Sequence, residues 1–312
     1  MRPNIHYDII GDIHGQYDKL TALLDHLGYL PHAGHYRHPE GRRIIFLGDY
    51  IDRGPKIRET LQLVRAMVNA GAALAIMGNH ELNAILYHKP DSKGGHLRPH
   101  SEKNTWIHAA TLNAFAGRKA EYAGWIEWME HLPFFLDLGE LRAVHAAWAA
   151  DHIAFLGNKT LLDPVFLHAV ATSGTPEFKA VETVLKGPEL VLPEGLTFLD
   201  KEGIARKNIR VRWWNVEPGL PLGELALPEP IELDKVLHPA VAAALPNYPA
   251  HDVPVFAGHY WLPAHAPKKP VAKNIAILDF SAGQGTAPLF AYRWNGGGTL
   301  TPERFVTYNT GA

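Results

Sequence analysis

Gly11-Asp12-Ile13-His14-Gly15 stands directly behind the apolar run Ile5 to Ile10. Two later stretches repeat that arrangement. Gly48-Asp49-Tyr50-Ile51-Asp52-Arg53-Gly54 follows Ile44 to Leu47, and Gly78-Asn79-His80-Glu81 follows Ala72 to Met77. Each apolar run reads as a strand. Between them, Leu20, Leu23, Leu24 and Leu27 mark a helix over 16–28, and Ile57, Leu61, Val64 and Val68 mark another over 56–70. The first 81 residues therefore read as a βαβαβ unit. Asp12, His14, Asp49 and Asn79 all fall just past the carboxyl ends of its parallel strands, in the crevice where open α/β sheets bind ligands.

Composition narrows the chemistry. The chain has 312 residues, 46% of them hydrophobic, enough for a substantial core. Formal net charge is −2, so neither a nucleic-acid surface nor a membrane surface is expected. No apolar run approaches the ~20 residues that span a bilayer, and the first ten residues lack the apolar core of a signal peptide. The expected location is cytoplasmic. There are no cysteines, which excludes disulfides, thiolate metal sites and cysteine nucleophiles.

Past residue 81 the signals thin out. His32, His35 and His38 lie in a segment broken by Pro31, Gly34, Pro39 and Gly41, and read as a solvated loop rather than a metal site. Residues 89–104 read as an exposed linker, with His96, Arg98 and His100 as the alternative substrate contacts. A helical stretch covers 105–131, with Trp106, Trp125 and Trp128 as packing residues. A hairpin follows, Leu132 to Leu138 with Leu141 to Val144, and delivers His145. Helices are expected near 160–171 and 176–186, and a strand near Val211. Val253 to Ala257 reads as a strand feeding His259. Ile275 to Phe280, Leu289 to Trp294 and Phe305 to Tyr308 read as three antiparallel strands.

Taken in order, GDIHG, GDYIDRG and GNHE resemble the calcineurin-like metallophosphoesterases, and the second motif looks like the bacterial members of their phosphoprotein phosphatase branch. The resemblance implies a two-sheet sandwich flanked by helices, an αββα arrangement of four layers. It is read as one unit over 1–312, with an elaboration over the site at about 89–250. It implies two divalent metals, with Mn²⁺ the first expectation and Fe or Zn the alternatives. Asp12 and His14 would hold one metal, Asp49 would bridge, and Asn79, His145 and His259 would complete the second. His80 would protonate the leaving group and Asp52 would orient it. Arg53 would fork onto the phosphate, and Arg212 is the candidate for a second phosphate arginine. Glu81 is expected to cap its helix or bond a loop, and Asp279 to be structural. His145-Ala146-Ala147-Trp148 departs from the family's glycine after that histidine, and His259-Tyr260 departs from its usual threonine or serine.

Two metals about 3.5–4 Å apart neutralise a phosphoryl group and acidify water. The expected reaction is direct in-line attack on a phosphate monoester, of a phosphoprotein or a small molecule, without a covalent enzyme intermediate. The alternative is a nucleotide phosphoanhydride hydrolase such as a diadenosine tetraphosphatase. A third reading, an inactive scaffold, is disfavoured because the full set of residue types is present. The sequence defines neither the substrate nor the oligomeric state.

Overall fold

A computed structural model describes residues 6–199, 205–227, 231–233 and 235–308. Its centre is a pair of sheets. The first has five strands in the order Phe305–Thr307, Phe290–Trp294, Tyr7–Ile10, Arg43–Phe46 and Ala73–Ala75. The last three run parallel, joined by the helices Tyr17–His26 and Ile57–Asn69, as the βαβαβ reading requires. The second has four strands in the order Ile275–Ile277, Val255–Ala257, Arg142–Val144 and Phe135–Asp137. Its last two strands form the expected antiparallel hairpin.

Strand alternation explains why the sheets stack. Successive side chains point to opposite faces. Ile9, Ile45, Phe256 and Ala276 pack with one another between the sheets. Their neighbours Ile10, Ile44, Phe46, Val255, Ala257, Ile275 and Ile277 face outward into the helical layers. There they meet residues such as Leu20, Leu61 and Val64 on one side, and Val181 and Val184 from the helix Pro176–Lys186 on the other. Both faces of each sheet are apolar, which is why these strands read as continuous hydrophobic runs.

Three expectations change. The three closing strands do not form one antiparallel set. Ile275–Ile277 pairs parallel with Val255–Ala257 in the second sheet, and only Phe290–Trp294 and Phe305–Thr307 pair antiparallel, in the first. Turn chemistry cannot show that a chain changes sheets between strands. The histidine-rich segment is a hairpin, Leu30–His32 with His35–Arg37, turning at Ala33 and Gly34, both with positive φ. The helical stretch over 105–131 divides into Glu102–Ala114 and Lys119–Glu130, with Gly117 at φ 71° between them. Of its tryptophans, Trp125 is buried and Trp106 is exposed.

Beyond the hairpin, Glu189–Val191, Asn208–Val211 and Ala226–Leu227 form a small antiparallel sheet with its own apolar cluster around Ile209, Val211 and Leu222. Among the described residues no helix is long and apolar enough to cross a membrane.

Candidate metal centre and catalytic site

The carboxyl ends of both sheets converge. Asp12 and His14 follow Ile10, Asp49 follows Phe46 by three residues, and Asn79 opens the helix Asn79–His88. From the second sheet, His145 follows Val144 directly and His259 follows Ala257 by two residues, on neighbouring parallel strands. The turns interlock: the amides of Ile13 and His14 both donate to the Asp49 carbonyl, at 3.1 and 2.8 Å. His14, Asp49, Asp52, Arg53 and His259 all have positive φ between 48° and 68°. Non-glycine residues hold that conformation where surrounding structure over-determines it, which is common at functional sites.

The side chains are aimed by backbone partners. His14 Nδ1 donates to the Ile51 carbonyl at 2.9 Å, and His145 Nδ1 donates to the Leu47 carbonyl at 2.7 Å. A carbonyl can only accept, so each ring turns its Nε2 inward. His14 Nε2 is buried with no hydrogen-bond partner among the described residues, 3.6 Å from Asp49 Oδ2. His145 Nε2 lies 3.4 Å from Asp49 Oδ1 and 3.0 Å from Asn79 Oδ1. His259 Nδ1 lies 2.7 Å from the same Asn79 oxygen, and the His259 amide donates to the Asp12 carboxylate. Two glycines permit this crowding. A Cβ at Gly78 would collide with Asp49 Oδ1, and one at Gly258 with Asp12 Oδ1.

Electrostatics follow from the burial. Burial, then the neighbouring Asp279, pushes Asp12 well above the ordinary carboxylate range. Burial would also raise Asp49, but the three histidines His145, His80 and His14 hold it well below. Burial, reinforced by His80, lowers His14 to about 3, so its inward nitrogen keeps a free lone pair at neutral pH. His145 would be lowered by burial, yet Asp49 drives it up to about 10. The field at that point favours positive charge, whether a proton or a metal ion. Buried imidazole nitrogens without a hydrogen-bond partner among the described residues, on His14 and His259, in a cluster that also holds two buried carboxylates and an amide oxygen, fit divalent cations. His14, Asp49 and His80 offer ligand atoms within 4.8 Å of one another, as do Asp12, Asp49 and His145.

His80 has a different setting. Its Nδ1 lies 2.6 Å from Asp52 Oδ2, while its Nε2 faces Asp49 Oδ2 at 3.9 Å. Burial would lower His80, but Asp49 and then Asp52 raise it. Asp52 in turn is held by residues that the sequence did not flag. His108 Nδ1 lies 2.8 Å from its Oδ1, and Thr111 donates to the same oxygen at 2.5 Å. His108 Nε2 then reaches the Tyr122 hydroxyl at 2.6 Å. His108 and Thr111 sit three apart, on one face of a helix. Without knowing which helix covers Asp52, that spacing carries no signal. Glu81 does both things expected of it. It accepts from the Gly78 amide at its helix start, and from the amides of Asp49 and Tyr50 in the loop.

Arg53 stacks on Trp261, 3.7 Å from the ring centroid, and lies close to Asp49, Asp279 and Asp12. Asp279 holds the Trp261 and Ser281 amides at 2.7 and 2.9 Å, a structural role. Arg212 has a buried Nε with no hydrogen-bond partner among the described residues, and the charge it feels is Glu224. Arg210, on the opposite face of its strand from Ile209 and Val211, is the arginine whose charge reaches His259, lowering it together with burial. The exposed His32 ring and the half-buried His35 ring meet edge-on at 5.3 Å, outside the groupings with metal-ligand spacing among the described residues.

A family model described as calcineurin-like phosphoesterase matches residues 5–191. The chain belongs to the calcineurin-like phosphoesterases. Relatives of this phosphoesterase include the asymmetrical bis(5'-nucleosyl)-tetraphosphatase PrpE of Bacillus subtilis, 37% identical over 152 residues, 47% of this chain and 59% of that one. A symmetrical bis(5'-nucleosyl)-tetraphosphatase of Dechloromonas aromatica is 30% identical over 164 residues, 50% of this chain and 51% of that one. The chain thus spans only about half to three fifths of the length of these two relatives. A serine/threonine phosphatase from Saccharomyces cerevisiae superposes with a TM-score of 0.51 at 13% identity, covering 100% of this chain and 82% of that one, a likeness of fold alone.

Proposed function

We propose that this phosphoesterase hydrolyses a nucleotide phosphoanhydride of the dinucleoside polyphosphate kind. The observation that carries this preference is the recurrence of bis(5'-nucleosyl)-tetraphosphatases among its relatives. It reverses the order in which the motifs alone ranked a phosphate monoester and a phosphoanhydride.

Asp12, His14, Asp49, Asn79, His145 and His259 would hold two divalent metals, of which Mn²⁺ suits a set of carboxylate, amide and imidazole donors. Bound there, the metals neutralise the phosphoryl oxygens and acidify water. The protein's own residues supply the rest. Arg53, kept planar against Trp261, forks onto two phosphoryl oxygens. Arg210, whose charge reaches His259, would serve beside Arg212 as a candidate for the second phosphate arginine. Asp52 accepts the Nδ1 proton and, with Asp49, favours the doubly protonated ring, whose second proton sits on the Nε2 that faces the centre. His80 then delivers a proton to the departing oxygen. The elaboration at 89–250 is taken as the substrate-recognising part of one unit, and the cytoplasm as its place of work.

Product analysis tests the reading. Mn²⁺-loaded protein would be given diadenosine tetraphosphate, a phosphopeptide and para-nitrophenyl phosphate in parallel. Release of nucleotides from the first, at a kcat/KM above that for the phosphopeptide, is expected. Turnover of the phosphopeptide alone would restore the monoester reading.

A further inference from the structure

Residues 89–100 are not a free linker. They run back along the helix that His80 helps to open. The Leu97 amide donates to the Lys89 carbonyl at 2.9 Å and the Arg98 amide to the Leu86 carbonyl at 2.8 Å. Pro90 bridges to His96. The His100 ring lies between Tyr87 and His96, stacked at centroid distances of 3.7 and 3.8 Å, and its Nε2 reaches the Tyr87 carbonyl at 2.8 Å. The Tyr87 ring is in turn 5.4 Å from His108, the second holder of Asp52. The segment is thereby fastened to the flank of the site built from His80, Asp52 and His108.

Arg98 is the cation of that flank. Its guanidinium is half-buried and close enough to Asp52 and Glu182 to feel both charges. Among the described residues it makes no hydrogen bond or ion pair with either, and Glu182 is paired with Lys186. Partial burial of an unpaired guanidinium carries a desolvation cost that a bound anion would offset. Arg53 is the other cation of the centre, and it feels Asp49, Asp279, Asp12 and Asp52.

The geometry points to Arg98 as the binding residue for the leaving phosphate of a phosphoanhydride substrate. Hydrolysis forms one bond from the water oxygen to phosphorus and breaks the bridging P–O bond, whose electron pair departs on the leaving group. The departing oxygen lies on the side of the proton donor, His80, and hence of Arg98. An alcohol or phenol leaving group presents no anion there. A polyphosphate presents anionic oxygens there, on the phosphorus bonded to the departing oxygen, where a guanidinium fork can meet them. The inference rests on the nucleotide reading above and assigns that substrate's second phosphate to a residue outside the motifs.

The test compares Arg98→Ala and Arg98→Lys with the wild-type, Mn²⁺-loaded protein. Arg98→Ala should lose about 10- to 100-fold in kcat/KM on diadenosine tetraphosphate, the scale of one charge-assisted contact. Turnover of para-nitrophenyl phosphate should stay within about threefold, and Arg98→Lys should recover part of the loss. Tripolyphosphate and orthophosphate are then compared as competitive inhibitors of para-nitrophenyl phosphate turnover. Arg98→Ala should weaken the first and leave the second unchanged. Equal losses on both substrates and for both inhibitors, or no change in any, would overturn the assignment. If the wild-type protein fails to cleave the dinucleotide, the nucleotide reading falls, and the inhibitor comparison still decides Arg98. Should Arg98→Ala fail to fold, Arg98→Lys and Arg98→Gln give the same two ratios.

Discussion

His80 Nδ1 lies 2.6 Å from Asp52 Oδ2, and the other oxygen of that carboxylate is taken by His108 and Thr111. The carboxylate cannot rotate without breaking contacts on both sides. This is how an orienting residue keeps one ring nitrogen pointed at a reaction centre. It extends the pair that the motifs name into a chain ending at the Tyr122 hydroxyl.

The first prediction concerns that chain. Replacing His80 with Asn should lower kcat by about 10²- to 10⁴-fold on a substrate with a poor leaving group. The loss should be smaller for para-nitrophenyl phosphate, whose leaving group departs without help. Asp52→Asn should follow the same pattern. A loss that ignores the leaving group would assign His80 a role other than proton donor.

Stability at acid pH should report on Asp52. Burial pushes this carboxyl up, but hydrogen bonds from His108 and His80 outweigh it and hold it below the ordinary 3.8. A depressed carboxylate stabilises the fold fully above its unfolded value and loses that contribution as pH falls through the folded one. Melting temperature should therefore drop below pH 3.8, and the drop should be shallower in Asp52→Asn. Parallel slopes for the two proteins in thermal melts would contradict this.

Away from the site, Asp8 is fully buried and receives Arg42 through two nitrogens, each at 2.9 Å, Arg293 at 3.0 Å and Tyr29 at 3.0 Å. Removing one partner of a buried ion pair strands the others. Asp8→Ala should cost about 3–5 kcal/mol in denaturant unfolding. Activity per folded molecule should be retained, because the network touches no residue of the centre. A cost below about 1 kcal/mol would place the arginines in water in the variant.

Metal removal should act on stability as well as on turnover. A cation that binds only the folded chain adds about 2.7 kcal/mol at a hundredfold excess over its Kd. Chelation should lower the melting temperature, and Mn²⁺ should restore it. His14→Ala, which deletes the buried inward nitrogen, should blunt the shift. An unchanged melt on chelation and reloading would argue against a cation between these side chains.

Much of the site could be read before any coordinate was known, because its first part is local. Asp12, His14, Asp49 and Asn79 are placed by strands whose apolar runs end where these polar side chains begin, and a short window of sequence contains both facts. The same window marks the helices that bring the chain back between parallel strands. Tertiary structure alone decided the remainder. That His145 and His259 reach Asn79 depends on two parallel strands pairing across more than a hundred residues of sequence. That Ile275–Ile277 and Phe290–Trp294 belong to different sheets depends on which sheet edge was open. That His108 holds Asp52, and that the charge of Arg210 reaches His259, depends on how one element packs over another. Periodicity along the chain reports which face of an element is buried, but the partner across that face is chosen by packing, which no local pattern records.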